Sequence, residues 1–180
     1  HQMISAVMRT GEHLFRERRL ELAVSGEDGP VAQYAAQKAH FLMREYPVPV
    51  CSPELAGVRA HMSAHETAGL PLLQQTTRPY AWRQWFAAAD VQAANDMGGM
   101  RLELFSMLAQ AAIERMGVAL IPPFLIQHEL TTGRLISPCL RSFPSTRAYY
   151  LIVPEGKAER PALTRFRAWL VEEAQATAAP

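Results

Sequence analysis

The segment Leu72-Leu-Gln-Gln-Thr-Thr-Arg-Pro-Tyr-Ala-Trp-Arg-Gln-Trp-Phe86 says most about the fold of this chain. Its leucines predict a short apolar strand, its Arg-Pro pair predicts a turn, and its two tryptophans and phenylalanine recur at helical spacing. Small ligands of parallel α/β sheets bind where strands end and helices begin. The segment therefore predicts a strand, a helix and between them a polar loop suited to a ligand, although an ordinary structural connection has the same composition.

Length and composition predict a globular protein that does not bind nucleic acid by itself. The 180 residues are 49% hydrophobic, which is enough to bury the core of one or two compact lobes. A net charge of +1, from 18 basic and 17 acidic residues, provides no basic patch for DNA. No apolar run reaches the roughly 18 residues that span a bilayer, and no leader is recognisable. We therefore expect a cytoplasmic protein with no membrane partner.

Strands and helices alternate along the chain, which predicts an α/β fold with a mostly parallel sheet covered by helices. Besides the strand at Leu72, we predict strands at Met3–Thr10, Leu20–Val24, Phe41–Val50, Met100–Leu104, Val118–Ile121, Leu135–Ile136 and Ala148–Val153. We predict helices that begin at Ser52 and at Trp82, and helices over Phe105–Met116, Phe124–Leu130 and Pro161–Ala174. Ser25–Pro30 predicts a loop.

The sequence carries none of the common catalytic signatures, such as a nucleophile elbow, a P-loop or an H-E-x-x-H motif. His61 and His65 have the spacing of two metal ligands on one helix face, but a solvated loop is the simpler interpretation because a third ligand is lacking. Cys51 and Cys139 have no metal-ligand spacing and are expected to be free and buried. We therefore expect no metal, no cofactor and no enzymatic activity.

Ligand-like side chains follow three of the predicted strands. Thr76 and Thr77 follow one strand, Phe105 and Ser106 follow another at a helix start, and Pro122-Pro123-Phe124 follow a third. If these ends converge, they form a mixed apolar and polar pocket, which suits recognition of a small molecule. The ligand class stays open at this point. The residues that permit an anion are Arg78 and Arg101, and those that permit an apolar body are Trp82, Phe105 and Phe124.

Several segments also occur in a recognisable order and spacing. They are Val48–Leu55, Pro71–Arg78 with Trp82 and Trp85, Glu103–Met107, Gly117–Phe124, Gly133–Leu135 and Ala148–Pro154. In this order they resemble the effector-binding domain of LysR-type transcriptional regulators, nearest to the branch that contains the glycine-cleavage and β-lactamase regulators. The resemblance covers nearly the whole chain.

This resemblance implies two Rossmann-like α/β lobes of periplasmic-binding-protein type, joined by two crossover strands, with an effector in the cleft between them. It implies that residues 1–51 and 128–180 form one lobe and residues 52–127 the other, with crossings near Tyr46–Cys51 and His128–Ser137. The implied function is transcription regulation. A free-standing solute-binding protein or a small α/β enzyme of similar architecture is the alternative. The implied effector contacts are Thr76, Thr77, Arg78, Phe105, Ser106, Met107, Pro122, Pro123, Phe124, Tyr149 and Tyr150.

The resemblance further implies which macromolecules the chain associates with. Family members pair as homodimers, form tetramers at full length, and contact DNA only through an N-terminal winged helix-turn-helix, which this sequence does not contain. The family domain normally opens with a strand and a helix before the strand that we predict at Met3–Thr10. We therefore expect an N-terminally truncated first lobe, whose exposed strand edge is open to pairing with a partner chain.

Overall fold

The computed structural model contains two sheets, and each belongs to its own compact unit of the chain. The first unit is formed by His1–Glu45 with Thr146–Pro180, and the second by Tyr46–Ser145. The chain therefore passes from one unit to the other twice. The structure describes residues 6–8, 22–28, 37–55, 57–59, 61–139, 141–143, 145, 147–154 and 161–177.

In chain order, the described strands are β1 (Ala6–Met8), β2 (Leu22–Asp28), β3 (Gln37–Arg44), β4 (Val48–Val50), β5 (Leu72–Gln75), β6 (Met100–Leu102), β7 (Val118–Ile121) and β8 (Arg147–Pro154). The described α-helices are α1 (Ala64–Thr67), α2 (Ala81–Ala88), α3 (Phe105–Ile113), α4 (Gln127–Thr131) and α5 (Pro161–Thr177), and a 3-10 turn covers Pro123–Leu125. Over this part of the chain, none of the helices has the length and apolar character needed to cross a bilayer.

The sheet of the first unit has the strand order β1-β2-β8-β3 and is mixed in direction. β1 runs parallel to β2, whereas β8 is antiparallel to both of its neighbours, and α5 packs against β3. The prediction of a mostly parallel sheet is therefore wrong for this unit. The reason is that β8 returns from the far end of the sequence, and no local pattern shows the direction in which such a strand enters a sheet.

The prediction of a loop at Ser25–Pro30 is also wrong for residues 25–28, which the structure describes. β2 continues through this segment, with Ser25 opposite Tyr150 and Asp28 opposite Arg147 on β8. A full row of cross-strand partners outweighs the low strand propensity of Gly26 and Asp28, because strand propensity depends strongly on context. Residues 29 and 30, like most of the predicted strand Met3–Thr10, lie outside the described residues.

The sheet of the second unit has the order β4-β7-β5-β6, and in it β5, β6 and β7 are mutually parallel. Alternate residues of β5 and β7 point to opposite faces. One face buries Leu73, Ala119 and Ile121 against α3, and the other buries Leu72, Val118 and Leu120 against α2. Because helices cover both faces, β7 is apolar without alternation, which explains the run Val118–Ile121.

Helix α2 is fixed to this sheet by its aromatic residues. Trp82, Trp85 and Phe86 are all buried, and the rings of Trp82 and Phe86 stack with centroids 5.3 Å apart. The Trp82 Nε1–H donates a buried hydrogen bond of 2.9 Å to the Leu73 carbonyl oxygen. The predicted strand, loop and helix are therefore confirmed, and the aromatic residues form the core beneath the helix.

The predicted helix start at Ser52 is wrong, because a turn follows this residue. The Ser52 Oγ accepts a hydrogen bond from the Glu54 N–H at 3.2 Å, but Gly57 then adopts a left-handed φ of 84°, which an α-helix does not allow. The helix of this region is α1, capped by Ser63. The Ser63 Oγ accepts from the Glu66 N–H, and the Glu66 carboxylate accepts from the Ser63 N–H, which forms a capping box.

The boundary between the units also differs from the predicted one. β4 pairs with β7, and Cys51 exchanges backbone hydrogen bonds of 3.0 and 2.9 Å with Ile136. These bonds hold both segments in the second unit, which therefore runs from Tyr46 to Ser145 instead of from residue 52 to residue 127. Ile136 itself forms an isolated bridge, not the short strand predicted at Leu135–Ile136.

Candidate functional site

The candidate site lies at the edge of the second sheet where three parallel strands end. β5, β6 and β7 run in the same direction, so their carboxyl ends share one edge. We call this the carboxyl edge and define it as residues 76–78 after β5, residues 103–107 after β6 and residues 122–124 after β7. Nine of the eleven predicted effector contacts belong to it. The fold thus gathers at one edge the three strand ends that the sequence singles out.

Hydrogen bonds tie the end of β5 to the end of β6. The Thr76 N–H donates to the Leu102 carbonyl oxygen at 2.9 Å, which extends the ladder by one residue beyond β5. The Gln75 Nε2 donates to the Glu103 carbonyl oxygen at 3.3 Å. The two loops of the carboxyl edge are therefore held together by bonds from consecutive residues.

Arg78 lies where the first loop meets helix α3. Its Nη1 donates to the Gln75 Oε1 at 3.0 Å, and its Cζ lies 4.6 Å from the centroid of the Phe105 ring. A guanidinium at this distance over an aromatic face is attracted to the ring by a cation–π interaction. The structure therefore brings Arg78 and Phe105, which are 27 positions apart in the sequence, into direct contact.

The remaining side chains of these two loops differ in exposure. Thr76, Thr77, Ser106 and Met107 are exposed, and Phe105 is partly buried. Helix α3 begins after Leu104, whose side chain cannot cap it, and its first turn contains no acidic residue. The positive end of its dipole therefore faces the carboxyl edge without a compensating carboxylate in that turn.

The third segment of the edge is apolar. Pro122 is buried, and Pro123 and Phe124 are half-buried. The segment forms a 3-10 turn, in which the Leu125 N–H donates to the Pro122 carbonyl oxygen at 3.1 Å. These residues supply the edge with hydrocarbon surface and a fixed backbone.

The two predicted contacts on β8 belong to the first unit. Tyr149 is 5% exposed, and its hydroxyl donates a 2.8 Å hydrogen bond to the Oε2 of the buried Glu45. The Tyr150 ring packs edge-on against Phe41, with centroids 5.8 Å apart. Both tyrosines therefore have packing or hydrogen-bonding roles within their own sheet, and their contact with an effector stays a prediction.

Two residues considered at the sequence level lie away from the carboxyl edge. Trp82 is a core residue, and the Arg101 guanidinium donates to the carbonyl oxygen of Met97, which precedes β6. In contrast, Gln75 was not among the predicted contacts, yet it joins Arg78 to Glu103. Its signal in the sequence is the pair of glutamines that ends a strand begun by two leucines.

The histidines and cysteines that the structure describes show no sign of a ligand site. His65 lies in α1, whereas His61 precedes the helix with a φ of 60°, so the two do not share a helix face and the solvated-loop prediction is only partly correct. Among the described residues, no group of three histidine, cysteine or acidic residues is placed to hold a metal ion. Cys51 and Cys139 are free and buried, as predicted, and burial raises the pKa of the Cys51 thiol to about 11.

A separate groove of about 660 Å³ lies beside the other end of α2. Arg83 and Asp96 in its wall form a bidentate ion pair with distances of 2.8 and 3.1 Å. The hydrogen bond from Arg83 lowers the pKa of the Asp96 carboxyl. Since these two charges neutralise each other and their ion pair holds the loop before β6 to α2, we do not place the effector in this groove.

Comparison with solved structures identifies the fold class. The effector domain of the transcriptional regulator AmpR of Pseudomonas aeruginosa superimposes with a TM-score of 0.74 at 23% identity, over 89% of this chain and 75% of that one. The AmpR effector binding domain from Citrobacter freundii gives 0.73 at 23% identity, over 88% and 76%. The predicted α/β fold of periplasmic-binding-protein type is thereby confirmed.

Comparison of sequences identifies the family. The family model of the LysR substrate binding domain matches residues 3–175, and the chain belongs to this family. The glycine cleavage system transcriptional activator of Escherichia coli K12 is 32% identical over 136 residues, which are 75% of this chain and 44% of that protein. The regulator PerR of the same organism is 30% identical over 127 residues, which are 69% and 42%. The chain thus spans less than half the length of these two relatives.

Proposed function

We propose that this chain is the effector-sensing regulatory domain of a LysR-type transcriptional regulator, and that it binds a small molecule at the carboxyl edge of its second sheet. The observation that carries the proposal is the assembly of Gln75, Arg78 and Phe105, which joins two separate strand ends into one surface. Family membership supports this regulatory role over the two alternatives, a free-standing solute-binding protein and a small α/β enzyme.

The chemistry of the carboxyl edge suits reversible recognition. Exposed hydroxyls at Thr76, Thr77 and Ser106 accept and donate hydrogen bonds, while Phe105 and the Pro122–Phe124 turn offer apolar surface. A few placed polar groups on an apolar wall are typical of small-molecule sites. Met107, Tyr149 and Tyr150 complete the proposed set of contacts, by analogy with the family.

We further propose that the whole regulator acts in the cytoplasm as a homodimer that assembles into a tetramer, and that DNA contact comes from another part of the regulator. The balanced charge of this domain supports the last point. Exposed apolar side chains outside the carboxyl edge, at Met100 and Met116, support self-association, because such surface is costly to leave in water. Light scattering of the purified chain at micromolar concentration measures this association.

The test of the effector site begins with a metabolite library screened for compounds that raise the melting temperature of the chain. Calorimetry with the best compound then compares wild type with Thr77→Val and Ser106→Ala. Each variant should lose about 1 kcal/mol or more of binding free energy, because a buried partner group loses its hydrogen bond. Thr131→Val is the matched control, since its exposed hydroxyl bonds within α4 to Gln127. Wild-type affinity in both site variants would refute this location.

A further inference from the structure

We propose that the groove beside the C-terminal end of α2 binds a second small molecule, an organic ammonium ion whose charge meets the Asp90 carboxylate and whose hydrocarbon part lies on the apolar wall. Because this groove is separate from the carboxyl edge, binding here does not depend on where the effector binds. The proposal is carried by the volume of the groove, by the excess negative charge of its wall and by the hydrogen bonds that hold the wall in place.

The groove has the size and the surface of a small-molecule site. Its volume of about 660 Å³ lies within the range of about 300–1,000 Å³ that is typical of such sites. The second half of α2 and the loop that follows supply the apolar part of the wall, which consists of Phe86, Ala87, Val91, Ala93 and Ala94. A hydrocarbon chain that lies against these side chains is removed from water, which favours binding.

The charges of the wall favour a cation. Among the described residues that line the groove, Arg83 is the only cation, and Asp90 and Asp96 are the two carboxylates. Arg83 and Asp96 neutralise each other in their bidentate ion pair. Asp90 is exposed, and none of the ion pairs between described residues includes it. The wall therefore has one negative charge in excess.

The end of α2 adds to this negative potential. The last turn of the helix contains no basic residue, so no side chain of that turn compensates the negative end of the helix dipole. Carbonyl groups at a helix end and the Asp90 carboxylate are all hydrogen-bond acceptors, and an ammonium group supplies the N–H donors that they lack. An anion would instead meet Asp90 and would have to displace Asp96 from Arg83. The wall therefore selects a cation over an anion.

Hydrogen bonds to β5 and within the loop keep this wall in place before a ligand binds. The Gln74 Nε2 on β5 donates to the carbonyl oxygens of Asp96 and Gly98 at 3.0 and 2.7 Å. The Gly98 N–H donates to the Asn95 carbonyl oxygen at 3.1 Å, which closes the turn before β6. Together with the ion pair of Arg83, these bonds tie the loop to the central strand and to the helix. A site that is already ordered loses less entropy when a ligand binds.

Three small molecules of the same chain length and different charge test the proposal, namely butylammonium, butanol and butyrate. Each is titrated at millimolar concentration into the whole chain at fixed ionic strength, and amide NMR spectra report which residues it contacts. We expect butylammonium to shift the amide signals of residues 91–94 with saturation, butanol to bind more weakly, and butyrate not to bind there. Equal binding of butanol or butyrate overturns the ammonium class, and signal shifts confined to the carboxyl edge overturn the location.

Asp90→Asn is the decisive variant, because asparagine also tolerates the left-handed φ of 57° at this position and only the charge is lost. The affinity for butylammonium should fall about fivefold, the upper range for an ion pair that stays partly hydrated. Glu114→Gln is the matched control, because it removes one negative charge from the exposed end of α3, outside the groove, and should leave the affinity unchanged. Wild-type affinity in Asp90→Asn, or an equal loss in Glu114→Gln, overturns the role of Asp90.

Ala87→Leu tests the shape of the site without changing its charge. Ala87 is exposed and lies in α2, and leucine is a strong helix former, so the chain should stay folded while the larger side chain fills part of the groove. Butylammonium should bind this variant more weakly than wild type. Unchanged affinity overturns the placement of the hydrocarbon part in this groove.

Discussion

Replacement of Trp82 by alanine should destabilise the second unit without a direct effect on recognition. The side chain is 1% exposed, its ring stacks on Phe86, and its N–H bonds to Leu73. Truncation of a buried aromatic residue to alanine costs about 3–5 kcal/mol through lost contacts and the cavity that remains. Trp82→Phe keeps most of the ring but leaves the Leu73 carbonyl oxygen without this donor, so it should cost about 1–2 kcal/mol.

Urea unfolding followed by circular dichroism measures both changes. Trp169→Ala is the matched control, because that tryptophan is 53% exposed and its removal should change the unfolding free energy by less than about 1 kcal/mol. The reasoning is refuted if Trp82→Ala unfolds within about 1 kcal/mol of wild type. A folded Trp82→Ala variant with unchanged stability and lost effector binding would place this side chain in the recognition site instead.

Two further predictions concern local features of the second unit. Asp90 follows the end of α2 in a left-handed conformation with a φ of 57°, and the N–H groups of Asp90 and Val91 donate to the carbonyl oxygens of Ala87 and Phe86. Because glycine adopts this conformation without strain, Asp90→Gly should stabilise the chain by about 0.5–1 kcal/mol. A thermal melt measures this change, and a lower melting temperature contradicts the prediction. Because burial raises the pKa of the Cys51 thiol to about 11, this thiol should resist Ellman's reagent at pH 8 in the folded chain and react in urea. Rapid labelling of Cys51 in the folded chain would show that it is accessible.

The elements that could be predicted from the sequence are those in which local pattern and tertiary packing agree. β7 is an uninterrupted apolar run, and α2 places its aromatic residues on one face, so each segment has a single favourable structure. The helix predicted at Ser52 failed because its capping signals are not followed by an apolar period, and Gly57 supplies a left-handed turn instead. A better signal was the stretch Ser63-Ala-His-Glu66, which has the serine-to-glutamate spacing of a capping box.

Pairing between distant segments could not be predicted in the same way. Asp28 and Arg147 face each other across β2 and β8, and only the complete sheet makes Gly26–Asp28 a strand. The candidate site shows the same limit. The threonines after β5 are visible in the sequence, but the role of Gln75 depends on the parallel register that sets it opposite Leu102 and so brings the Glu103 carbonyl oxygen within reach. Register is a property of the packed sheet and is not read from one strand.

Strand β5 connects the stability of the second unit to the arrangement of its proposed effector site. All four of its residues are buried, although two are glutamines, and a buried amide is costly unless it is hydrogen-bonded. The Gln74 Nε2 donates to the carbonyl oxygens of Asp96 and Gly98, whereas its Oε1 is buried and has no hydrogen-bond partner among the described residues. The Gln75 amide is satisfied on both sides, because its Nε2 donates to the Glu103 carbonyl oxygen and its Oε1 accepts from Arg78. Each bond holds a loop to the central strand. The Oε1 of the same Gln75 amide accepts from Arg78, so the central strand also orients a side chain of the proposed effector site before any effector arrives. Such preorganisation lowers the entropy lost on binding.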